Sequence, residues 1–341
     1  MKTRAYVEHK GKVIKTGGKF KLIMALAINP LNHKEGVLRC ITSREGNIAK
    51  TGTRDRSELY LVKGKSLTSF VIDKPLKIKN SEKIIKKLNQ KNLDFIGLED
   101  PDIFYDEKKK LFHLYFTMPY VSSNKKLNRI HMGHAVGKSL STLTMTDPVL
   151  KVAPQIAHAK ELSIAPINSK GIRLNLFESK STHDGMNYST VRVGVSGDMG
   201  KPWKFGKVLL DPYDAKFSWI KGDASPGPLL PKSFIDLGPN LMLGIMNGCE
   251  KKKIVNGVRV HEGNFTVGLF VYDYEKGEIK WVSPKPLIVD SKAKRITFAS
   301  QFLETKSGEG ILYAHVDDSF VRAYTLYADG IRKMLPKSFL D

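Results

Sequence analysis

The sequence predicts an all-β protein, a five-bladed β-propeller. A strand-and-turn unit recurs five times along 341 residues, and a hairpin of two strands precedes each copy. Helical periodicity is scarce. Sheets of three to four strands bury both faces when they are arrayed radially, each against its neighbours. A β-sandwich also needs many short strands, but it would not repeat one hairpin order five times.

The elements follow in order. The first hairpin is NPLNHKEGVLRCIT, with Asn29-Pro30 at a strand start and Arg39 at the end of the second strand. SELYLVKGKSLTSF, Ser57 to Phe70, is the first copy of the unit. SEKIIKKLNQKN, Ser81 to Asn92, is the best helical candidate, with Ser81 as its N-cap. DPDIFYDEKKKLFHLYFT is the second hairpin, and its alternation marks half-buried strands. RIHMGHAVGKSLSTL, Arg129 to Leu143, is the second copy, and its GKSL lies 73 residues after the first. APINSKGIRLNLFE precedes TVRVGVSGDMGKPWKF, GPLLPKSFIDLGPNLMLGIMNG precedes FTVGLFVYDYEKGEIKW, and ASQFLETKSGEGILYAHVDD precedes VRAYTLYADGIRKM. A Pro-containing step follows four of the five copies, at Pro75, Pro148, Pro212 and Pro286. Residues 1–341 are expected to form one propeller, with 1–20 and 331–341 as closing or peripheral segments.

Composition narrows the function. Lys and Arg number 56 against 34 Asp and Glu, a formal net charge of +22, and 41% of residues are hydrophobic. That excludes a disordered chain. No apolar run reaches the roughly 18 residues of a membrane-spanning helix, so no membrane partner is expected. The opening MKTRAYVEHKGKVIK has no signal-peptide stretch, and Cys40 and Cys249 make no disulfide framework, so a cytoplasmic location is expected. The positive charge attracts anions, but the lysines are spread along the chain. Lys108 to Lys110 and Lys251 to Lys253 read as loop tips without interleaved aromatics, so no nucleic-acid partner is expected. A homo-oligomer is compatible with the composition. His131 and His134 would face opposite sides of a strand, which gives no metal site. Gly64-Lys65-Ser66 lacks the phosphate-loop spacing and reads as a β-turn, and no cofactor is expected.

Hairpin geometry places the site. The start of each first strand lies beside the end of the second, and the first strands line the central channel. Strand starts and second-strand ends therefore meet on one face. That brings Asp100, Asp102, Glu161, Glu178, Asp223 and Asp318 together, with Arg39, Lys160 and Lys221 among them. Crowded carboxylates raise one another's pKa and keep a proton available near neutral pH, which suits glycosidic chemistry. Glu99-Asp100-Pro101-Asp102 is an unusual opening for an apolar strand, because strands disfavour Asp. Trp203, Trp219, Trp281 and Tyr120 are candidates for stacking on sugars, although core packing is the commoner role of a tryptophan.

GLEDPDIFYDEKKKLFHLYFT resembles the Glu-Asp-Pro-Arg strand of glycoside hydrolase family 130, five-bladed mannoside phosphorylases and mannosidases, and is also similar to the Ala-Pro-Asp-Ile segment of the family 43 enzymes. The order of further segments favours family 130: KGDASPGPLLP, LMLGIMNGCE, VGLFVYDYEKGEIKWVSPKPLI and ILYAHVDDS. The resemblance implies that Asp100 is the general acid, and that Asn29, Arg39 and Asp318 hold the sugar at the cleaved bond. The departures are informative. Asp102 stands where that strand carries Arg, Glu178 where the third blade's second strand would end in Arg, and Asn247 where His precedes Gly, while Lys221 keeps its basic character. Two acids in a former phosphate pocket would repel phosphate. Hydrolysis needs a base to activate water. Glu178 is the first candidate, followed by Asp223 and Glu250, then Glu161. The expected activity is inverting hydrolysis of a β-linked mannoside or similar oligosaccharide, with Glu99, Asp102, Glu161, Lys221, Asn247 and Glu250 lining the substrate site. A phosphorylase using Lys221, Arg173 or Lys160, and a non-catalytic glycan- or protein-binding propeller, are the alternatives.

Overall fold

Each repeat resolves into an antiparallel sheet, and the five sheets form a five-bladed β-propeller. The computed structural model describes residues 4–15, 19–47, 52–89, 93–122, 128–153, 158–251, 253–255, 258–261 and 263–340. The first blade runs from its inner strand Ile23–Ile28 through Glu35–Asn47 and Gly52–Ser66 to Ser69–Pro75. The second has a split inner strand, Leu93–Phe95 and Glu99–Asp106, then Leu111–Ser122, Asn128–Gly137 and Thr144–Met145. The third comprises Lys160–Ser163, Arg173–His183, Met186–Ser196 and Lys204–Leu210. The fourth comprises Asp223–Leu229, Leu241–Cys249, Phe265–Asp273 and Glu278–Val282.

The fifth blade, Thr297–Lys306, Glu309–Val316 and Phe320–Tyr327, takes its outer strand from the other end of the chain: Tyr6–Glu8 pairs with Phe320–Tyr327. That explains the missing Pro step after the fifth repeat. The chain turns into the short helix Ala328–Arg332 instead, and the N-terminal segment closes the ring. Between blades the core is aliphatic. Leu243, Ile245, Leu269, Leu312 and Tyr324 belong to one cluster spanning the fourth and fifth blades, all fully buried. Each buried Leu or Ile contributes about 1.5–3 kcal/mol. Trp203 and Trp219 are buried and Trp281 packs on the core, so the tryptophans serve packing; Tyr120 is fully buried as well.

Two local expectations need correction. Ser81 is the first residue of the helix Ser81–Leu88, not its cap; Asn80 precedes it with φ 61°, and Gln90 to Asn92 lie outside the described residues. Gly64 to Ser66 end a strand, and Leu67-Thr68 make the turn. Lys108 to Lys110 do sit in a hairpin turn, while Lys252 lies outside the described residues. His134 contacts His113 at 2.9 Å and Thr146 at 2.7 Å, whereas His131 Nδ1 accepts the Val152 amide. No cluster able to hold a metal occurs among the described residues. Both cysteines are buried. No described helix is long and apolar enough to cross a membrane.

A β-bulge interrupts every inner strand. The pairing register shifts between Met24 and Leu26, Glu99 and Asp102, Lys160 and Leu162, Pro226 and Leu229, and Ala299 and Gln301. A bulge bends a strand and re-aims the extra residue. Ala25, Asp100 and Glu161 sit at these bulges with φ of 29°, 47° and 50°. Gly97, at φ 131°, lets the second blade's inner strand cross the first blade, since a Cβ there would lie 2.0 Å from the Ser57 carbonyl oxygen.

Candidate active site

The channel mouth holds a cavity of about 390 Å³. The starts of inner strands reach it from four blades: Met24, Glu99 and Asp100, Lys160 and Glu161, and Phe298. The second and third strands of the first two blades run on past the channel and build its walls with Arg39, Arg54 and Asp55, and with Pro119, Val121, Asn128 and Ile130. The fifth blade and the loop before it add Arg295, Ile296, His315 and Asp318.

Arg39 organises the carboxylates. Its Nη2 lies 2.6 Å from Glu99 Oε1, its Nη1 2.8 Å from Asp100 Oδ1, and its Nε donates to Ser57 Oγ at 2.9 Å. Burial pushes Glu99 up to about 7, although Arg39 opposes the shift. Burial, and then the charge of Asp100, pushes Glu161 well above the usual carboxylate range, and Glu161 hydrogen-bonds to Asp100. Two adjoining carboxylates cannot both stay ionised cheaply, and Glu161 is the one whose carboxyl is pushed toward its protonated form.

Asp318 behaves oppositely. Burial would raise it, but His315, Arg39 and Arg44 outweigh burial and hold it ionised below its ordinary range. Its Oδ1 lies 2.9 Å from His315 Nδ1. Asp317 beside it accepts the amides of Lys294, Arg295 and Ile296 at 2.8, 2.9 and 3.0 Å, a purely structural use. Asp100, Glu161, Asp317 and Asp318 all have left-handed backbone, with φ between 47° and 50°. Such strain in non-glycine residues costs about 1–3 kcal/mol each and clusters at functional sites.

Of the residues expected at the site, Arg39, Glu99, Asp100, Lys160, Glu161 and Asp318 line this cavity, and the others do not. Glu178 lies behind the wall with 3% of its side chain exposed, 3.2 Å from Lys160 Nζ and bonded by Ser189 Oγ at 2.5 Å. Lys160, His158 and Ser189 together outweigh burial and hold Glu178 down to about 2. It anchors Lys160. Asn29 is not at a strand start: it follows Ile23–Ile28 and folds the turn, accepting the Leu31 amide and donating to Glu35. The strand preceding it is the apolar run LIMALAI, so Asn29 lies at the far end of the hairpin from Arg39's partner Met24. Ala165-Pro166 likewise follow their inner strand. Asp102 lines a second cavity with Ile103, Leu162, Ser163 and Gln301, where burial pushes it up to about 7.

The fourth blade reaches the main cavity only through Phe265. Asn247 is spent on the fifth blade, with both ends of its amide bonded to the Ala299 backbone at 2.9 and 2.8 Å. Asp223 accepts the Ser189 amide at 2.8 Å, Glu250 accepts the Asn264 amide, and Lys221 is an exposed residue after a 3₁₀ turn. Arg173 bonds the Ala165 carbonyl away from the cavity. Reading only strand starts and second-strand ends missed Arg54 and Asp55 on a third strand and Arg295 in a loop. His315 had a signal, standing three residues before Asp318 on the same approach.

No protein-family model matches the chain, and no curated protein matches it in sequence. Solved structures do. A β-1,2-mannobiose phosphorylase from Listeria innocua, in complex with β-1,2-mannobiose, aligns with TM-score 0.63 and 12% identity over 93% of this chain and 92% of its own. A glycosyl hydrolase from Bacteroides ovatus aligns with TM-score 0.61 and 16% identity over 89% and 84%. A mannose phosphorylase from Leishmania mexicana, in complex with phosphate ion, aligns with TM-score 0.55 and 12% identity over 95% and 88%. At these identities the likeness establishes the fold, the five-bladed β-propeller that the repeats predict and that glycan-cleaving proteins of both kinds share with this chain.

Proposed function

We propose that the protein is a carbohydrate-active enzyme that hydrolyses a β-linked mannoside or similar oligosaccharide with inversion. The observation that carries this reading is the meeting of two bulged carboxyls from adjacent blades, Asp100 and Glu161, in a cavity of about 390 Å³, with Arg39 bonded to Asp100. Glu161, whose carboxyl burial and the Asp100 charge push upward, carries the proton that is delivered to the departing glycosidic oxygen as the C–O bond breaks. Water attacks the anomeric carbon from the opposite side and gives its proton to an ionised carboxylate. With Glu178 behind the wall, that base is Asp318, which its neighbours keep charged and which stands on a blade not adjacent to either member of the pair. Inversion requires acid and base about 6.5–9.5 Å apart.

Hydrolysis is favoured over phosphorolysis by the commitments of the cations. Arg39 is engaged by Glu99 and Asp100, and Lys160 by Glu178. A phosphate dianion at the reacting carbon would face the carboxyl pair, and Arg39 and Lys160 beside that pair are already engaged by carboxylates. Asp102, which stood for repulsion in the sequence argument, is outside this cavity and adds nothing to it.

The test is reducing-sugar release from mannosides and other β-glycosides, with and without phosphate, for the native chain and for Asp100→Asn and Glu161→Gln. Phosphate-independent release of the inverted anomer is expected, reduced by about 10²–10⁴-fold in either variant. Release only with phosphate, as a sugar 1-phosphate, would make the protein a phosphorylase. Glycan binding with no release under either condition would make it a binding propeller.

A further inference from the structure

Four cations line the cavity, and three are committed. Arg39 holds Glu99 and Asp100, Lys160 holds Glu178, and Arg54 pairs with Asp94 at 3.0 Å. Arg295 is the fourth. Among the described residues its guanidinium forms no ion pair, and its Nε is buried with no hydrogen-bond partner. An arginine on a cavity wall that has neither an ion pair nor a hydrogen-bond acceptor leaves its guanidinium for a ligand. The arginine is not a loosely tethered side chain. Its own amide and those of Lys294 and Ile296 are pinned by the Asp317 carboxylate. Phe298, stacked on His315 with centroids 5.1 Å apart, and Phe265 complete this side of the cavity with apolar surface. A low local dielectric strengthens any charge pair formed there.

We propose that Arg295 is the subsite for an anionic substituent carried by the glycan, a carboxylate or an ester-linked phosphate. The planar guanidinium fork matches two oxygens of either group. The inference rests on reading the cavity as a glycan site and adds the substrate class: an acidic oligosaccharide. The anion is read as part of the sugar, and a free phosphate on the same arginine is the rival that the titration with inorganic phosphate decides. The net charge of +22 has the sign that would concentrate such a substrate near the protein.

The experiment is calorimetric titration of the full chain with β-linked mannobiose, the mannuronate disaccharide of the same linkage, mannobiose 6-phosphate and inorganic phosphate. It is repeated on Arg295→Gln, on Arg295→Lys, and on Lys292→Gln as a control for charge alone. At least one acidic disaccharide is expected to bind about tenfold or more tightly than mannobiose. Arg295→Gln should erase that preference, Arg295→Lys should restore part of it, and Lys292→Gln should keep it. The acidic disaccharide that shows the preference identifies the group as carboxylate or phosphate ester. Equal binding of neutral and acidic sugars, or a preference that survives Arg295→Gln, overturns the inference while the glycan site stands. Binding of inorganic phosphate that is lost in Arg295→Gln overturns it in favour of a free anion. Binding of none of the sugars overturns the glycan reading itself.

Discussion

Glu178→Gln separates anchoring from catalysis. In the structure Glu178 is ionised, 3% exposed, and shared by Lys160 Nζ at 3.2 Å, His158 Nε2 at 3.5 Å and Ser189 Oγ. Its carboxyl is held at about 2 against an ordinary value near 4.5, which corresponds to about 3 kcal/mol of stability. Breaking a buried pair costs about 3–5 kcal/mol, and the lower end applies because Lys160 keeps 30% of its side chain exposed. The sign follows from the lowered pKa. The contribution is complete above the unfolded value near 4.5 and is lost as pH falls toward 2. The variant should therefore lose about 3 kcal/mol at pH 7, nearly as much at pH 5, and about 1–1.5 kcal/mol at pH 3. Urea unfolding of both proteins at the three pH values measures this. A deficit under about 1 kcal/mol at pH 7, or one that does not shrink on acidification, refutes the anchoring argument. Wild-type stability with turnover lost and restored by added azide would make Glu178 the water-activating base after all.

Three further outcomes follow from the same contacts. Asn247→Ala leaves two Ala299 backbone groups unsatisfied and should lower stability by about 1–3 kcal/mol per group without raising KM; a KM raised tenfold at unchanged stability would return Asn247 to the sugar site. Deleting residues 1–8 strips the outer strand from the fifth blade and removes Glu8 from Arg322, a pair at 2.7 Å. Thermal scanning should then show Tm lower by at least about 5 °C, and an unchanged Tm would mean that the ring does not depend on that strand. Lys160→Met removes a charge that lowers the Glu161 pKa. A general acid works only while protonated, so kcat/KM falls at alkaline pH, and the variant's alkaline limb should move to higher pH; a pH–rate profile whose limb stays or moves down denies Glu161 that role.

The fold was legible because five copies of one unit cannot be hidden by local noise. GKSL in two blades and the Pro steps in four mark the same third-strand and outer-strand positions, and the fifth copy's missing step is the trace of ring closure by Tyr6–Glu8. The site was legible where composition broke a strand rule. Three acids around Pro101 opening an apolar strand located Glu99 and Asp100, and Lys160-Glu161 stood in the equivalent place one blade on. It was misread where a turn imitates a strand start. Asn29-Pro30 and Ala165-Pro166 both look like Asp100-Pro101, yet each follows its inner strand, because the apolar residues that form the strand lie before the proline in those blades and after it in the second. Side-chain hydrogen bonding was illegible throughout. Nothing in the spacing of Asn247 says that its amide closes on the backbone of Ala299, and nothing in Glu178 says that it faces Lys160 from behind.

The bulges explain how a five-fold scaffold carries an acid pair on two of its blades. Every inner strand is broken near the channel, so backbone geometry alone would make five equivalent positions. Side-chain identity then differentiates them. Ala25 at the first blade's bulge leaves room for Arg39 to reach across to Glu99 and Asp100, and Ser300 at the fifth bonds only weakly to the Leu26 carbonyl, at 3.5 Å. Carboxyls occupy this position in the second and third blades alone, and their adjacency pushes the Glu161 carboxyl upward. Polar residues of the fourth blade are spent elsewhere, because Asp223 and Asn247 are used to hold the third and fifth blades on either side. An acid pair needs rigid placement more than it needs many carboxylates. Neighbouring blades locked by such clamps supply that rigidity, so Asp223 and Asn247, expected at the site, act instead to hold adjacent blades together.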